Sequence, residues 1–258
     1  MDDTPAGPSP SDLSHDDGYF PEEVAAVYDQ STDAEFRPEV VRRTVDVLER
    51  LADGGRALEF AVGTGRVAVP LAERGVEVAG IEMSRAMLRR LRAKPGGDRV
   101  EVTEGDMATA RVPGRFSLAY LVFNTLNNLT TQDAQVECFV NAARHLAPGG
   151  RFLVEVGVPD LRLLPPGQTV VPFASTPGYW GFDEYDTVTQ AMWSHHLRSG
   201  EGRASHRSIP FRYVWPSELD LMARIAGMRR VERWAGWDGE PFTADSRKHV
   251  SVWEKAPA

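Results

Sequence analysis

The sequence contains one cysteine and three lysines, and it has no long apolar segment. The single cysteine, Cys138, excludes an intramolecular disulfide and a zinc site built from several cysteines. The apolar stretches stay well below the roughly 18–20 residues of a membrane-spanning helix, and the first residues lack the basic start and apolar core of a secretory signal. We therefore expect a soluble, cytoplasmic protein with no membrane partner.

The acidic and basic residues are unevenly distributed. Residues 1–36 contain ten acidic residues and neither Lys nor Arg, whereas the rest of the chain carries 29 basic and 27 acidic groups. Because this near balance leaves no dense basic stripe, a nucleic-acid partner is disfavoured. Residues 1–18 are rich in Pro, Ser, Asp and Gly, and we predict that they form a disordered acidic tail before one folded domain at residues 19–258.

Strand and helix signals alternate from about residue 57 onward. The predicted strands are Ala57–Val62, Val76–Glu82, Val100–Thr103, Ser117–Phe123 and Arg151–Val158, followed near the end of the chain by Met228–Trp234 and Lys248–Glu254. Strands that alternate with helices pair in parallel through right-handed crossovers. The pattern therefore predicts an α/β fold with an open, mostly parallel sheet.

Residues 160–214 interrupt this alternation. They contain strand signals and turns without a clear helix, and they precede the last helix, which begins near Ser217. We predict an antiparallel insertion between the fifth strand and the last helix, acting as a lid over a substrate. The segment from Tyr179 to Trp253 also holds 12 of the 23 aromatic residues, which suits either an aromatic acceptor pocket or a small core under the lid.

A glycine-rich loop follows the first strand, and acidic residues flank it in the sequence. Glu59 lies four residues before Gly63-Thr64-Gly65, and Glu82 ends the second strand. Glycines at such a turn let the backbone approach a ligand, and a carboxylate about 20 residues further on can accept ribose hydroxyls. The pattern alone is shared with enzymes that bind nicotinamide dinucleotides.

Two further strand ends make the pattern more specific. The third strand is followed by Glu104-Gly105-Asp106-Met107, and the fourth ends in Phe123-Asn124. Together these residues resemble the class I S-adenosylmethionine-dependent methyltransferases of small-molecule type, and more loosely the antibiotic and amino-sugar methyltransferases. The resemblance covers about residues 28–254. It implies a Rossmann-like, seven-stranded, mostly parallel sheet and S-adenosylmethionine as cofactor.

The resemblance also implies roles for individual residues. Glu59 and the backbone of Gly63, Thr64 and Gly65 would lie at the methionine end of the cofactor. Glu82 would hold the ribose, Met83 and Met107 would pack on the adenine, and Asp106 would accept its amino group. Phe123 and Asn124 would line the cleft between cofactor and acceptor, and Tyr28 would fold over the methionine part. Ala61 stands where the family usually has its first glycine, and its methyl group is expected to narrow the loop.

The expected reaction is methyl transfer to an oxygen or nitrogen of a small organic molecule in secondary metabolism. The candidate catalytic residues are Tyr28, His195 and His196. Adjacent strand residues point to opposite faces, so at most one of the two histidines can face the cleft. The residue pattern offers no convincing ligand trio for a metal. A small-molecule acceptor is the expected partner. The sequence leaves a homodimer open as the assembly.

Two alternatives remain open from the sequence. A nicotinamide-dependent oxidoreductase could use the same glycine loop, although the Tyr-x-x-x-Lys pair of short-chain enzymes is missing. A non-catalytic module could retain only the cofactor cleft, and Ala61 is the sole residue that suggests it.

Overall fold

The fold is described from a computed structural model, which covers residues 20–31, 33–200 and 203–257. The predicted acidic tail at residues 1–18 lies outside these described residues. No helix in the described part of the chain is long and apolar enough to span a bilayer.

The core of the molecule is a seven-stranded sheet. Its strands, in chain order, are β1 (Ala57–Phe60), β2 (Val78–Glu82), β3 (Val100–Glu104), β4 (Phe116–Leu121), β5 (Leu146–Gly157), β10 (Met228–Trp234) and β11 (Lys248–Lys255). They are arranged in the order β10-β11-β5-β4-β1-β2-β3, with β11 antiparallel to both of its neighbours and the other pairs parallel. The predicted fold class is confirmed. The strand order reverses between β1 and β4, where ligands of open α/β sheets bind.

Helices cover both faces of this sheet. They are α2 (Pro38–Ala52), α3 (Ala68–Glu73), α4 (Arg85–Ala93), α5 (Gln132–His145) and α6 (Pro216–Ile225), with a short α1 (Glu22–Ala25) before them. One apolar cluster joins Phe60, Phe139 and Trp253, and a second joins Leu48 and Leu71 with strand residues. Strands β1 and β2 are buried along their whole length, as expected for parallel strands covered on both faces.

A second sheet is inserted between β5 and α6, as predicted. Its strands are β6 (Val170–Thr176), β7 (Tyr179–Tyr185), β8 (Ala191–Gly200) and β9 (Arg203–Arg212), paired antiparallel in that order. We call the side that carries Asp183 and Tyr185 the inner face. Tyr185 is buried there and packs with Leu161 and Leu164, which belong to the segment that follows β5.

Residues 20–31 and 33–37 form what we call the N-terminal strap. It contains α1 and two short 3₁₀ turns, at Tyr28–Gln30 and Ala34–Phe36. The Ser84 hydroxyl at the start of α4 donates to the Phe20 carbonyl at 2.7 Å, and Glu22 pairs with two arginines of α4. The strap therefore lies over the carboxyl ends of β1 and β2.

Candidate cofactor and acceptor site

The loop between β1 and α3 turns sharply because three of its residues take left-handed backbone angles. Ala61, Gly63 and Gly65 have φ values of 53°, 57° and 76°. A Cβ at Gly65 would lie 2.9 Å from the Val69 side chain, so glycine is required there for packing as well as for conformation. Ala61 adopts a left-handed conformation that favours glycine, at a cost of roughly 1–2 kcal/mol.

Glu82 connects this loop to the next one. One carboxylate oxygen accepts the Gly63 N–H and the other accepts the Ser84 N–H, both at 2.8 Å. The side chain is buried, and burial raises its pKa. The Met83 N–H also acts on this carboxylate, so about one of its four lone-pair positions remains for a ligand hydroxyl. The acid is therefore rigidly oriented at the edge of the sheet.

Glu59 is a buried acid beneath the glycine loop. The Tyr120 hydroxyl donates to it at 3.0 Å, and the Ala68 N–H also donates to it. Burial raises the pKa of Glu59 to about 8, against the opposing effect of the Tyr120 hydrogen bond. A carboxyl whose direct hydrogen-bond partners are neutral is suited to a cationic ligand nearby.

Asp106 follows β3, which is the strand next to β2. Its carboxylate accepts the Ala108 N–H at 2.7 Å and so fixes the turn after the strand. Met107 is buried, whereas Met83 is 36% exposed at the end of β2. The Gly105 N–H donates to the Glu82 carbonyl at 2.9 Å, which joins the two strand ends. The residues predicted for the adenosine part therefore share one edge of the sheet.

Phe123 and Asn124 follow β4, with φ values of 60° and 57°. Left-handed angles at such residues cost on the order of 1–3 kcal/mol each and persist only where the surroundings enforce them. Here the Phe123 N–H donates to the Glu155 carboxylate at 3.1 Å, and the Asn124 amide oxygen accepts the Gly157 N–H at 2.5 Å. The two residues line a cavity of about 20 Å³ together with Glu155 and Lys248.

Glu155 was not among the predicted site residues. It is buried in β5, where the Trp237 indole N–H donates to it at 2.9 Å and the Lys248 ammonium at 3.2 Å. The ammonium also pairs with Glu35 of the strap at 3.2 Å. A lone acid within the apolar run Phe152–Val158 was a signal that could have revealed it.

Arg66 and Lys94 lie beside the glycine loop, and both interact with other residues of the protein. The Arg66 guanidinium lies over the rings of Phe36 and Phe123, at 4.8 and 5.2 Å, and donates to the Glu35 carbonyl. Lys94 pairs with Asp29 at 2.8 Å, and Asp29 also accepts the Thr64 hydroxyl. A pyrophosphate would need such cations. The site fits a nucleoside that carries a positive charge better than a dinucleotide.

Tyr28 lies in the strap, between the rings of Phe20 and Phe36, with centroid distances of 5.9 and 5.3 Å. Burial raises the pKa of its hydroxyl to about 12, and Arg66, Glu82 and Asp29 also act on it. The strap therefore brings Tyr28 to the glycine-loop edge as a neutral side chain at physiological pH. Its predicted catalytic role remains a prediction.

The two candidate histidines lie on opposite faces of the inserted sheet. His195 is on the outer face, stacked on Phe182 at 4.7 Å and on His206 at 5.3 Å. His196 is on the inner face, and its Nδ1 lies 2.9 Å from the Tyr179 hydroxyl. The carboxylate of Asp33, in the strap, acts on the pKa of His196. Of the two predicted residues, His196 is the one that faces the strap.

The described residues give no support for a metal site or for a cysteine nucleophile. Within residues 20–31, 33–200 and 203–257, no group of three or more His, Cys, Asp or Glu side chains could hold a metal ion. Cys138 is fully buried in α5, and burial raises the pKa of its thiol, so it is a core residue and not a nucleophile.

These features define a class of protein. A mostly parallel sheet carries a glycine loop, a buried acid and a further acid on neighbouring strand ends, and the cations beside the loop are paired within the protein. This is the arrangement of a class I methyltransferase that uses S-adenosylmethionine.

Comparison with known proteins supports this class. Residues 57–150 match a family described as "Methyltransferase domain". The solved structure of the CcbJ methyltransferase from Streptomyces caelestis is 35% identical, with a TM-score of 0.82 over 93% of this chain and 99% of that chain.

Two curated relatives are also similar. The cypemycin N-terminal methyltransferase of a Streptomyces species is 29% identical over 80% of this chain and 85% of its own length. The dTDP-3-amino-3,4,6-trideoxy-alpha-D-glucopyranose N,N-dimethyltransferase of Streptomyces venezuelae is 28% identical over 42% of this chain and 45% of its own length.

The chain belongs to the S-adenosylmethionine-dependent methyltransferase family. S-adenosylmethionine is its cofactor and it is an enzyme, which confirms these two predictions. Membership of this family decides against both the nicotinamide-dependent oxidoreductase and the non-catalytic module.

Proposed function

We propose that the protein transfers the methyl group of S-adenosylmethionine to an amine nitrogen of a small metabolite or peptide. The observation that carries this proposal is the Asp183 carboxyl on the inner face of the inserted sheet. Among the described residues, the groups that act on its pKa besides burial are Ser194, Asp160 and His195, and none is a Lys or Arg. A half-buried acid without such a partner can stabilise, through its neighbours on this face, the positive charge that an amine acceptor develops during methylation.

The activities of two relatives support a nitrogen acceptor. The cypemycin enzyme is named as an N-terminal methyltransferase, and the Streptomyces venezuelae enzyme as an N,N-dimethyltransferase of an amino sugar. An amine needs only to lose a proton before or after attack, whereas a hydroxyl acceptor needs a strong base. Tyr28 cannot supply that base at neutral pH, since the pKa of its hydroxyl is raised to about 12.

When bound, S-adenosylmethionine supplies a methyl group on a positively charged sulfur, which a nucleophile displaces in line. In our proposal Glu82 holds the ribose, Asp106 and the methionines Met83 and Met107 hold the adenine, and Glu59 with the glycine loop holds the methionine part. Alignment of the two reactants by such contacts can supply several kcal/mol of the barrier reduction.

The strap and the inserted sheet enclose the acceptor in this proposal. Tyr28 and Phe36 would exclude water from the sulfur, and Phe123 with Asn124 would line the passage to the acceptor. The inner face of residues 160–214 would then act as the predicted lid. Its support is that Asp33 of the strap acts on the pKa of both His196 and Tyr179 of that face. The homodimer, the cytoplasmic location and the domain limits stay predictions.

A panel of matched acceptors tests the nitrogen preference. The purified protein is incubated with S-adenosylmethionine and a nucleotide-linked amino sugar, a free amino pentose or a peptide with a free N-terminus, and S-adenosylhomocysteine is quantified. Each amine is paired with the analogue that carries a hydroxyl in its place. We expect turnover of at least one amine and none of its hydroxyl analogue. Turnover of a hydroxyl analogue alone would refute the proposal.

A further inference from the structure

Four side chains on the inner face form a continuous hydrogen-bonded chain. Asp183 accepts the Ser194 hydroxyl, whose oxygen lies 3.4 Å from Nε2 of His196. Nδ1 of His196 lies 2.9 Å from the Tyr179 hydroxyl. Asp183 is directly opposite Ser194 in the β7–β8 register, so the chain runs along neighbouring positions of one sheet face.

The direction of these hydrogen bonds follows from the carboxylate of Asp183, at one end of the hydrogen-bonded chain. An ionised carboxylate can only accept, so the Ser194 hydroxyl donates to Asp183. The Ser194 oxygen is then free to accept from Nε2–H of His196. Nδ1 of the neutral imidazole therefore carries the lone pair and accepts from the Tyr179 hydroxyl. The lone pairs of the Tyr179 oxygen remain available to a ligand N–H.

The charged groups around His196 favour the neutral imidazole that this chain requires. Burial lowers the pKa of His196, and Arg207 of β9 and Arg198 of β8 lower it further, whereas Asp33 of the strap opposes them. His195 on the same strand also lowers it slightly. The imidazole is therefore neutral at neutral pH, with a lone pair on its unprotonated nitrogen.

The hydrogen-bonded chain of side chains lies between the strap and the end of β5. Asp33 acts on the pKa of Tyr179 from the strap side, and Asp160, which follows β5, acts on the pKa of Asp183. Asp33 is three residues before Phe36, whose ring packs on Phe123 at 5.5 Å. The Tyr179 end of the chain thus faces the part of the strap that covers the cofactor edge.

We propose that the Tyr179–His196–Ser194–Asp183 chain receives the proton that the acceptor amine loses during methylation. This inference rests on the proposed amine acceptor. As the N–CH₃ bond forms and the S–CH₃ bond breaks, the nitrogen gives a proton to the Tyr179 oxygen, and the Tyr179 hydroxyl proton moves to Nδ1 of His196. The product is a neutral methylated amine, and the imidazolium is stabilised through Ser194 by Asp183 before it releases its proton to water.

In this assignment Tyr179 touches the acceptor and is a catalytic residue. His196, Ser194 and Asp183 act through it and are positioning residues. His196 was among the candidates that the sequence predicted, whereas Tyr179 and Asp183 were not.

Activity measurements test the chain with the amine that the acceptor panel identifies. Tyr179→Phe and His196→Asn should each lower kcat by on the order of 10²-fold, the lower end of general-base contributions, with little change in the Kd for S-adenosylhomocysteine. In the wild type kcat should fall as the pH drops and His196 becomes protonated, and this acid limb should be absent in His196→Asn. His206→Asn, on the outer face of the same sheet, is the matched control and should retain wild-type kcat.

Retention of wild-type kcat and of the acid limb in both variants would overturn the inference while leaving the amine acceptor intact. Turnover of hydroxyl analogues alone would instead overturn the proposed function. Loss of S-adenosylhomocysteine binding in the variants would show that the chain is structural and would also refute the inference.

Nuclear magnetic resonance offers a test that needs no acceptor. In the complex with S-adenosylhomocysteine, the side-chain ¹⁵N shifts of His196 should report a neutral ring with the proton on Nε2, and Ser194→Ala should abolish this preference. A proton on Nδ1 in the wild type would contradict the inferred direction of the chain.

Discussion

Replacement of Glu82 by glutamine gives the sharpest test of the cofactor edge. The two carboxylate oxygens accept the Gly63 and Ser84 N–H groups, both at 2.8 Å. Glutamine has almost the same shape, but it can present only one oxygen. Its NH₂ group must therefore face one of the two backbone donors, and it offers one acceptor fewer to the ribose.

The magnitude follows from the hydrogen bonds that are lost. A hydrogen bond to a charged group contributes roughly 1.5–3 kcal/mol. Loss of one such bond to the ribose should therefore weaken S-adenosylhomocysteine binding by about 10- to 100-fold, since about 1.4 kcal/mol corresponds to a factor of ten. Loss of one backbone bond should also lower Tm by several degrees, because ~1 kcal/mol shifts Tm by roughly 2–4 °C in a chain of this size.

Isothermal titration calorimetry with S-adenosylhomocysteine and thermal unfolding measure the two effects. Glu104→Gln is the matched control because Glu104 is paired with Glu82 in the β2–β3 register but is exposed, with a surface ion pair to Arg85 at 2.7 Å. Such a pair contributes about 0–1 kcal/mol. Unchanged affinity and Tm in Glu82→Gln would refute the assigned role of this carboxylate.

Three other predictions concern the surrounding structure. Burial raises the pKa of Glu59 from 4.5 to about 8, so the unfolded chain loses this proton at a lower pH than the folded protein does. The free energy of unfolding should therefore fall as the pH rises from about 4.5 to about 8. Thermal unfolding of Glu59→Gln should show a weaker pH dependence than that of the wild type. Lys248→Met removes the cation that pairs with buried Glu155, and chemical denaturation should show a loss of stability of about 2–3 kcal/mol. Arg43→Met is the control: it removes an exposed ion pair and should cost less than about 1 kcal/mol. Ala61→Gly relieves a left-handed alanine but increases the freedom of the unfolded chain, so the stability should change by less than about 1 kcal/mol; a larger loss would show that the methyl group packs productively.

Strand ends illustrate how local conformation limits prediction. The first strand was predicted to reach Val62 and the fourth to reach Phe123, but they end at Phe60 and Leu121. In both cases a residue with positive φ, Ala61 or Phe123, turns the chain out of the sheet. Neither residue type favours that conformation, so propensity could not reveal it.

The start of α4 shows the opposite case. Serine is a preferred N-cap residue, and the Ser84 hydroxyl accepts the Met87 N–H at 3.2 Å. A cap depends on residues only three positions apart, so the local sequence is sufficient to specify it.

The sequence by itself determined the parallel sheet, the position of the glycine loop and the order of acids along the cofactor edge, because these follow from apolar periodicity and from short-range motifs. The tertiary structure alone decided which face of the inserted sheet points inward and which cations beside the glycine loop are paired within the protein. It also decided how Lys248 bridges Glu155 and Glu35, which are 120 residues apart. Such contacts join distant segments, and no local pattern encodes the distance between them.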